Sequence, residues 1–272
     1  MQTTNQLLRN RQRFITWIVL IPVILIIFAW LLNTPAGLMG KADAIGYAVC
    51  HRIDLRSFHI GVRQMPLCAR CSGMYLGAML GLVFQAIISS RRMESPPRKV
   101  IIVLGIFLLT FAIDGINSFI SLFPDAPQLY TPNNFLRLIT GTGMGLVIAA
   151  ALFPAFNASV WQRADPRPAI QGLRELGILV FLGVILDLLI LTENPLLLYP
   201  LAIISAAGVL VLLTLVYTML WLVVFKRENR YNSFHELFVP LIGGFGLALI
   251  QIVLLDWFRY FLTGSWDGFH IG

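Results

Sequence analysis

Long apolar runs alternate with short polar segments along most of the chain. Several of these runs reach about 20 residues, the length that an α-helix needs to cross the hydrocarbon core of a bilayer. The pattern therefore predicts an all-α fold, a polytopic transmembrane helical bundle of about seven helices. The predicted helices cover residues 14–32, 72–89, 100–123, 135–156, 176–192, 198–225 and 237–262.

Composition agrees with this pattern. Hydrophobic residues make up 58% and charged residues 12% of the 272 residues, whereas soluble domains carry roughly 25% charged residues. We expect one multi-pass membrane domain in the plasma membrane of a prokaryote. Its expected parts are the first helix (1–35), a polar outer loop (36–71), helices 2–4 (72–157) and helices 5–7 (176–262).

The formal net charge is +7, and its distribution follows membrane topology. Basic residues are concentrated in four short segments, 9–13, 91–99, 163–174 and 226–230. Because such segments stay on the cytoplasmic side of a membrane, they predict a cytoplasmic N-terminus and an extracytoplasmic C-terminus. They give no reason to expect a nucleic-acid partner. The outer loop 36–71 is the exception, since it carries five basic residues.

All three cysteines of the protein lie within 22 residues of this region, at Cys50, Cys68 and Cys71. Zinc in proteins takes four ligands, and it often uses thiolates separated by two residues together with imidazole. The cysteines with His51, or with His59 as the alternative fourth ligand, would therefore form a site for zinc or another divalent transition metal.

Two other interpretations of the cysteines remain open. Cys68 and Cys71 could serve a thiol–disulfide or quinone-linked oxidoreductase, because an outer loop faces an oxidising compartment in many bacteria and a neighbouring arginine favours thiol exchange. Three cysteines leave an odd one in such a system. Alternatively, the thiols are small buried side chains without chemistry, as free cysteines often are.

Arginines accompany the cysteines, and a guanidinium group matches the oxygens of phosphate and carboxylate. These arginines are candidates for binding an anionic lipid or a phosphate group. The candidates are Arg52, Arg56, Arg63 and Arg70 of the outer loop and Arg137 of the fourth predicted helix. The alternative is that they form salt bridges with acidic residues of the predicted helices.

Polar residues interrupt the predicted helices toward the same, outer side: Asp114, Asn117, Asn134, Asp187 and Asp256. Ionisable groups at membrane depth are costly and usually face a cavity or a partner. These residues therefore predict a polar chamber that opens to the outer face. If the metal activates water, Asp114 or Asp187 would be the general base. A closed, structural site is favoured, because cysteine-rich zinc sites are more often closed.

A transporter or an accessory subunit of a larger membrane complex is a further alternative. The inner halves of the predicted helices are almost wholly apolar, which argues against a polar pathway through the membrane. Membrane lipids are the expected partners, and the sequence predicts no oligomeric state.

One set of motifs spans roughly residues 45–150. It consists of Cys50-His51, Arg56-Ser57-Phe58, Pro66-Leu67-Cys68-Ala69-Arg70-Cys71, Gly73, Tyr75, Gly77, Asp114-Gly115, Asn134, Arg137 and Thr140-Gly141. These motifs resemble those of domain-of-unknown-function family 2085, a family of uncharacterised prokaryotic membrane proteins. The resemblance implies that aspartate can stand at the position of Cys71, which suits a metal ligand but not a disulfide. It also favours His51 over His59, and it implies no assigned activity.

Overall fold

The computed structural model describes residues 2–123 and 127–267; the side chains of residues 2–13 and of Ile15, and with them the basic segment 9–13, fall outside this description. Eight α-helices lie in the described residues. They are α1 (Gln2–Asn33), α2 (Gly37–Val49), α3 (Ala69–Ser89), α4 (Arg98–Ile120), α5 (Asn134–Val160), α6 (Leu173–Leu191), α7 (Pro195–Val224) and α8 (Phe238–Thr263). The shorter elements are a 3₁₀ turn (Asp54–Arg56), β1 (His59–Ile60), β2 (Arg63–Gln64), β3 (Arg92–Glu94) and β4 (Asp165–Pro168).

Six of these helices, α1, α3, α4, α5, α7 and α8, are long and apolar enough to cross a membrane. The prediction of an all-α polytopic bundle is thereby confirmed, and each predicted helix coincides with an observed one. Helix α6 has 19 residues and includes Arg174, Glu175 and Asp187, so its composition sets it apart from the six. Helix α2 has 13 residues, which corresponds to a length of only about 20 Å.

The outer loop differs from the expectation, because it contains helix α2. Three glycines, Gly37, Gly40 and Gly46, lie in this helix and lower its intrinsic helix propensity. Packing of an apolar face stabilises the helix instead, with Ile45 buried against side chains that include residues of α7 and α8. Helix α3 also begins earlier than predicted, at Ala69.

Helices α3 and α5 pack backbone to backbone. A Cβ added at Gly73 would lie 2.4 Å from the carbonyl oxygen of Leu138, and one added at Gly145 would lie 2.3 Å from that of Met74. Small residues at a four-residue spacing permit this approach between membrane helices. The pair forms a rigid support for the start of α3, where two of the cysteines lie.

Three loops meet at the end of the bundle opposite the cysteines. Strand β3, between α3 and α4, pairs in parallel with β4, between α5 and α6. Trp161, which follows α5, forms an isolated bridge with Tyr231 in the loop between α7 and α8. Three of the basic segments identified in the sequence therefore share one end of the bundle.

Candidate metal centre

The three cysteine sulfur atoms converge at the junction of two helices. Cys50 directly follows α2, Cys68 is the N-cap residue of α3, and Cys71 lies in the first turn of α3. Their Sγ atoms all lie within 4.8 Å of one another, and all three are free thiols. This spacing allows a single metal ion to contact all three sulfur atoms.

Hydrogen bonds within the cluster favour one thiolate. The Cys68 amide N–H donates to Cys50 Sγ at 3.4 Å. Hydrogen bonds from the Cys68 and Cys71 thiols lower the pKa of Cys50 well below its usual value, whereas the hydrogen bond with Cys50 raises the pKa of Cys68 to about 12. A bound cation would favour the thiolate form of the remaining sulfurs. Three thiolates suit a soft divalent cation, and zinc fits this donor set.

Arg259 of α8 holds the end of α2 in place. Its Nη1 donates to the carbonyl oxygens of Tyr47 and Cys50, each at 2.6 Å. Its Nη2 donates to the carbonyl oxygen of His51 at 3.2 Å. A cation is favourable at a helix C-terminus, so this contact both stabilises α2 and positions Cys50. The sequence places Arg259 toward the outer end of the last predicted helix, on the side of the cysteine loop, and an arginine within an apolar run indicates a partner or a cavity.

Neither candidate histidine, His51 or His59, belongs to the cysteine cluster in the described structure. Within the described ranges, the group of close ligand atoms consists of the three cysteines. His51 is exposed and lines a cavity of about 210 Å³ together with Cys50 and Arg259. His59 Nε2 lies 2.9 Å from Asp54 Oδ1. His51 stays the predicted fourth ligand, since it adjoins Cys50.

Three of the five candidate arginines are paired with carboxylates. Arg52 Nη2 lies 3.0 Å from Asp43 Oδ1, and Arg63 Nη2 lies 2.5 Å from Asp43 Oδ2. Arg70 Nε donates to Asp114 Oδ2 at 3.1 Å, and Arg70 Nη2 contacts the same oxygen. Asp43 lies on helix α2, which the sequence pattern did not predict, so its pairing with these arginines was not predicted either.

Asp114 has several partners besides Arg70. Tyr130 Oη donates to Asp114 Oδ1 at 2.8 Å, and Thr140 Oγ1 lies 3.4 Å from Oδ2. Arg70 Nη2 also donates to the Asp114 carbonyl oxygen at 3.0 Å and to Ser118 Oγ at 2.8 Å. These contacts use both carboxylate oxygens and fix the start of α3 against the end of α4.

The other two candidate arginines have neutral partners. Arg56 Nη2 donates to Ser121 Oγ at 3.4 Å. Arg137 is only 6% exposed, and its Nη1 donates to Asn134 Oδ1 at 2.9 Å. Asn134 Nδ2 in turn donates to the carbonyl oxygen of Leu55 at 3.3 Å. Asn134 therefore joins the first turn of α5 to the 3₁₀ turn that carries Arg56.

The polar residues expected in one outer chamber lie in separate places. Asn117 Nδ2 donates to the carbonyl oxygen of Tyr130 at 2.9 Å, and Asn117 Oδ1 accepts from the Leu129 N–H at 2.8 Å. Asn117 therefore binds the turn that precedes α5 and is occupied by backbone groups.

Asp187 and Asp256 lie at two other sites in the bundle. Thr142 Oγ1 donates to Asp187 Oδ1 at 2.6 Å, beside a cavity of about 320 Å³ between α4, α5 and α6. Trp30 Nε1 donates to Asp256 Oδ2 at 3.3 Å, beside a cavity of about 530 Å³ between α1 and α8. The structure thus brings Asn134 and Arg137 to the cysteine loop, but neither of these two carboxylates.

Comparison with known proteins points to one family. The family model "Predicted membrane protein (DUF2085)" matches residues 50–151. An uncharacterised protein of Methanocaldococcus jannaschii is 28% identical over 120 residues, which cover 44% of this chain and 71% of the relative. An uncharacterised protein of Methanothermobacter thermautotrophicus is 31% identical over 101 residues, which cover 37% of this chain and 81% of the relative. No solved structure shows a significant match. The matched region contains all three cysteines, helix α3 and most of helix α5.

Proposed function

This chain belongs to the DUF2085 family of predicted membrane proteins, and from that membership and its converged cysteines we propose an integral membrane protein built around an outer-facing zinc site. Cys50, Cys68 and Cys71 supply thiolate ligands, and His51 supplies the fourth. Arginines beside this site bind the anionic group of a lipid or a phosphate. The observation that carries the proposal is the approach of the three Sγ atoms to within 4.8 Å.

The proposed role of the metal is structural. Zinc, when bound, supplies a tetrahedral centre whose binding free energy adds to the stability of the fold. The cysteines would then fasten the end of α2 to the start of α3. A hydrolytic role has less support, because Asp114 already accepts hydrogen bonds from Arg70 and Tyr130.

Metal content tests the proposal. The zinc content is measured in purified full-length wild-type protein, in Cys68→Ser and in the control variant Val62→Ser. Val62 is exposed in the hairpin of the same segment. We expect about one zinc per chain in the wild type and in Val62→Ser, and little in Cys68→Ser, because losing one of four ligands weakens the site. Free thiols are counted in the same samples. Absence of metal from the reduced wild-type protein after incubation with zinc would overturn the proposal.

A thiol–disulfide oxidoreductase is the second candidate, and the observation that favours it is that Cys68 and Cys71 are free and half-buried beside a third thiol. Replacing Cys71 by aspartate separates the two functions, because a carboxylate can bind zinc but cannot form a disulfide. Zinc retained in Cys71→Asp supports the metal site. A Cys68–Cys71 disulfide in metal-free wild-type protein, reduced to the dithiol by thiols and formed again with a quinone as the oxidant, supports the alternative.

A further inference from the structure

Arg56 and Arg137, here called the arginine pair, lie at the cysteine end of the bundle. Arg56 ends the 3₁₀ turn, and Arg137 lies in the first turn of α5. Asn134 connects the two elements through the carbonyl oxygens of Leu55 and Ser57, at 3.3 and 3.4 Å. The two guanidinium groups lie within electrostatic range of each other and of Arg70.

The arginine pair has no acidic partner among the described residues. The ion pairs of the cysteine end involve Arg52, Arg63 and Arg70, and no described carboxylate lies within 4.0 Å of either member of the pair. Arg137 is 6% exposed, and its buried Nε has no hydrogen-bond partner in the described structure. A buried charge without a counter-ion is strongly unfavourable.

The surroundings of the arginine pair also disfavour its positive charge. Burial, and then the charge of Arg70, lower the pKa of Arg56. Asp114 forms its direct ion pair with Arg70, since Arg70 Nε and Nη2 both contact its Oδ2, and it acts on Arg137 only from beyond ion-pair distance. Arg137 stands in the first turn of a 27-residue helix, where the helix dipole disfavours a cation and favours an anion. Three independent features therefore favour an anion at this position: burial, repulsion and the helix terminus.

We propose that Arg56, Arg137 and the first turn of α5 bind a phosphate group. A tetrahedral phosphate offers oxygens to both guanidinium forks and to a helix N-terminus at once. The group comes either from the headgroup of an anionic lipid or from free phosphate. This inference deepens the anion-binding part of the proposed function, and it does not require the zinc site. The proposed phosphate does not contact Arg52, Arg63 or Arg70, because these arginines form ion pairs with Asp43 and Asp114.

The test uses full-length protein in nanodiscs and two substitutions, Arg56→Gln and Arg137→Gln. Arg63→Gln is the matched control, because Arg63 lies in the same segment and is paired with Asp43. The thermal unfolding midpoint is measured in phosphatidylcholine alone, with added inorganic phosphate, and with phosphatidylglycerol in the disc. Lipid retained by the protein is measured by native mass spectrometry. Zinc content is measured in every sample.

We expect phosphate or phosphatidylglycerol to raise the midpoint of the wild type and of Arg63→Gln. Each substitution in the pair should weaken binding roughly tenfold or more, the effect of losing a hydrogen bond to a charged group. In phosphatidylcholine alone, Arg137→Gln should unfold at the wild-type midpoint or above it, because it removes an uncompensated charge. A purely structural Arg137 would give a lower midpoint, and that result would overturn the proposal.

The remaining outcomes are equally decisive. A response to phosphatidylglycerol alone identifies the lipid headgroup, and a response to inorganic phosphate in phosphatidylcholine identifies the free anion. Equal responses in wild type and Arg137→Gln, or no response in either, reject the site.

Asp125 is the one acidic residue of segment 121–133 and lies outside the described residues. A response that appears only in Asp125→Asn would show that a protein carboxylate fills the site and would also reject the proposal. Unchanged zinc in Arg137→Gln separates failure of this site from failure of the metal centre.

Discussion

Gly46 of α2 packs directly against the backbone of Pro66. A Cβ added at Gly46 would lie 1.9 Å from the Pro66 carbonyl oxygen and 2.7 Å from its carbonyl carbon. Gly46 also accepts the hydrogen bond of the Cys50 N–H at 2.8 Å, and Pro66 precedes Cys68 by two positions. The contact between these two residues therefore sets the separation of Cys50 from Cys68.

Replacing Gly46 by alanine should disrupt the metal centre. The added methyl group cannot be accommodated by side-chain rotation, because it meets backbone atoms, and overpacking of this kind typically costs about 1–3 kcal/mol. We expect much less bound zinc in Gly46→Ala with the helix content preserved, as measured by metal analysis and circular dichroism. Gly177→Ala on α6, where a Cβ meets nothing within 4 Å, is the control and should bind zinc normally. Normal zinc content in Gly46→Ala would contradict this account.

Removal of zinc should lower stability without unfolding the bundle. The proposed metal would join two helix ends, whereas the packing of α3 against α5 would not involve it. A ligand at one hundred times its dissociation constant stabilises the folded state by about 2.7 kcal/mol. We therefore expect a strong chelator to lower the thermal midpoint and to expose three reactive thiols, while circular dichroism at room temperature is unchanged. Cys68→Ser should start at the lower midpoint and should not respond to the chelator.

The fourth ligand can be identified by comparing the two histidines of the loop. His51→Ala should weaken zinc binding, since one of four ligands is lost, and His59→Ala should leave it unchanged, because His59 pairs with Asp54. Competition with a zinc-binding dye measures both affinities. Equal affinities in the two variants would remove His51 from the ligand set.

Loss of the Asp114 carboxylate should strongly destabilise the protein. In Asp114→Asn the side chain of Arg70, which is 19% exposed, keeps its charge without a counter-ion. Breaking a buried ion pair from one side costs about 3–5 kcal/mol, which thermal or denaturant unfolding in detergent would detect. The double variant Arg70→Met/Asp114→Leu removes both charges and should recover most of this loss. If the double variant is no more stable than Asp114→Asn, the pair is not the cause.

Asp187 should tolerate neutralisation, in contrast to Asp114. Its described partner is the hydroxyl group of Thr142, and an asparagine oxygen can accept the same bond. Removing an ionisable group at membrane depth also avoids the cost of burying its charge. We expect Asp187→Asn to unfold at or above the wild-type midpoint and Thr142→Val to lose about 1 kcal/mol. A large loss of stability in Asp187→Asn would point to a cationic partner in the adjoining cavity.

The parts of the molecule that depend on local pattern follow from the sequence. The apolar runs locate the spanning helices, because membrane insertion depends on the summed hydrophobicity of a continuous segment. The convergence of Cys50 with Cys68 and Cys71 was indicated by their clustering in an otherwise apolar chain. The prediction succeeded there because the candidate ligands are few and close in sequence.

The parts that depend on tertiary contacts do not follow from it. Helix α2 was missed, because its glycines serve packing against Pro35 and Pro66 rather than helix formation. Arg52 and Arg56 look alike in sequence, yet Arg52 pairs with Asp43, whereas the described hydrogen-bond partner of Arg56 is a serine hydroxyl. Whether an arginine pairs with a carboxylate depends on where α2 and α5 begin. No short-range sequence pattern specifies those positions.

The paired loops opposite the cysteines determine how often the chain crosses the membrane. Because β3 pairs with β4 and Trp161 bridges to Tyr231, all three loops must lie in the same aqueous compartment. The chain leaves β4 through α6 and returns to Tyr231 through α7, so an even number of crossings separates them. If α7 crosses the membrane, as its length and composition allow, we expect α6 to cross as well despite its charged residues. Seven crossings would place the start of α1 and the end of α8 in different compartments, and we then expect the paired basic loops on one side of the membrane and the thiols on the other.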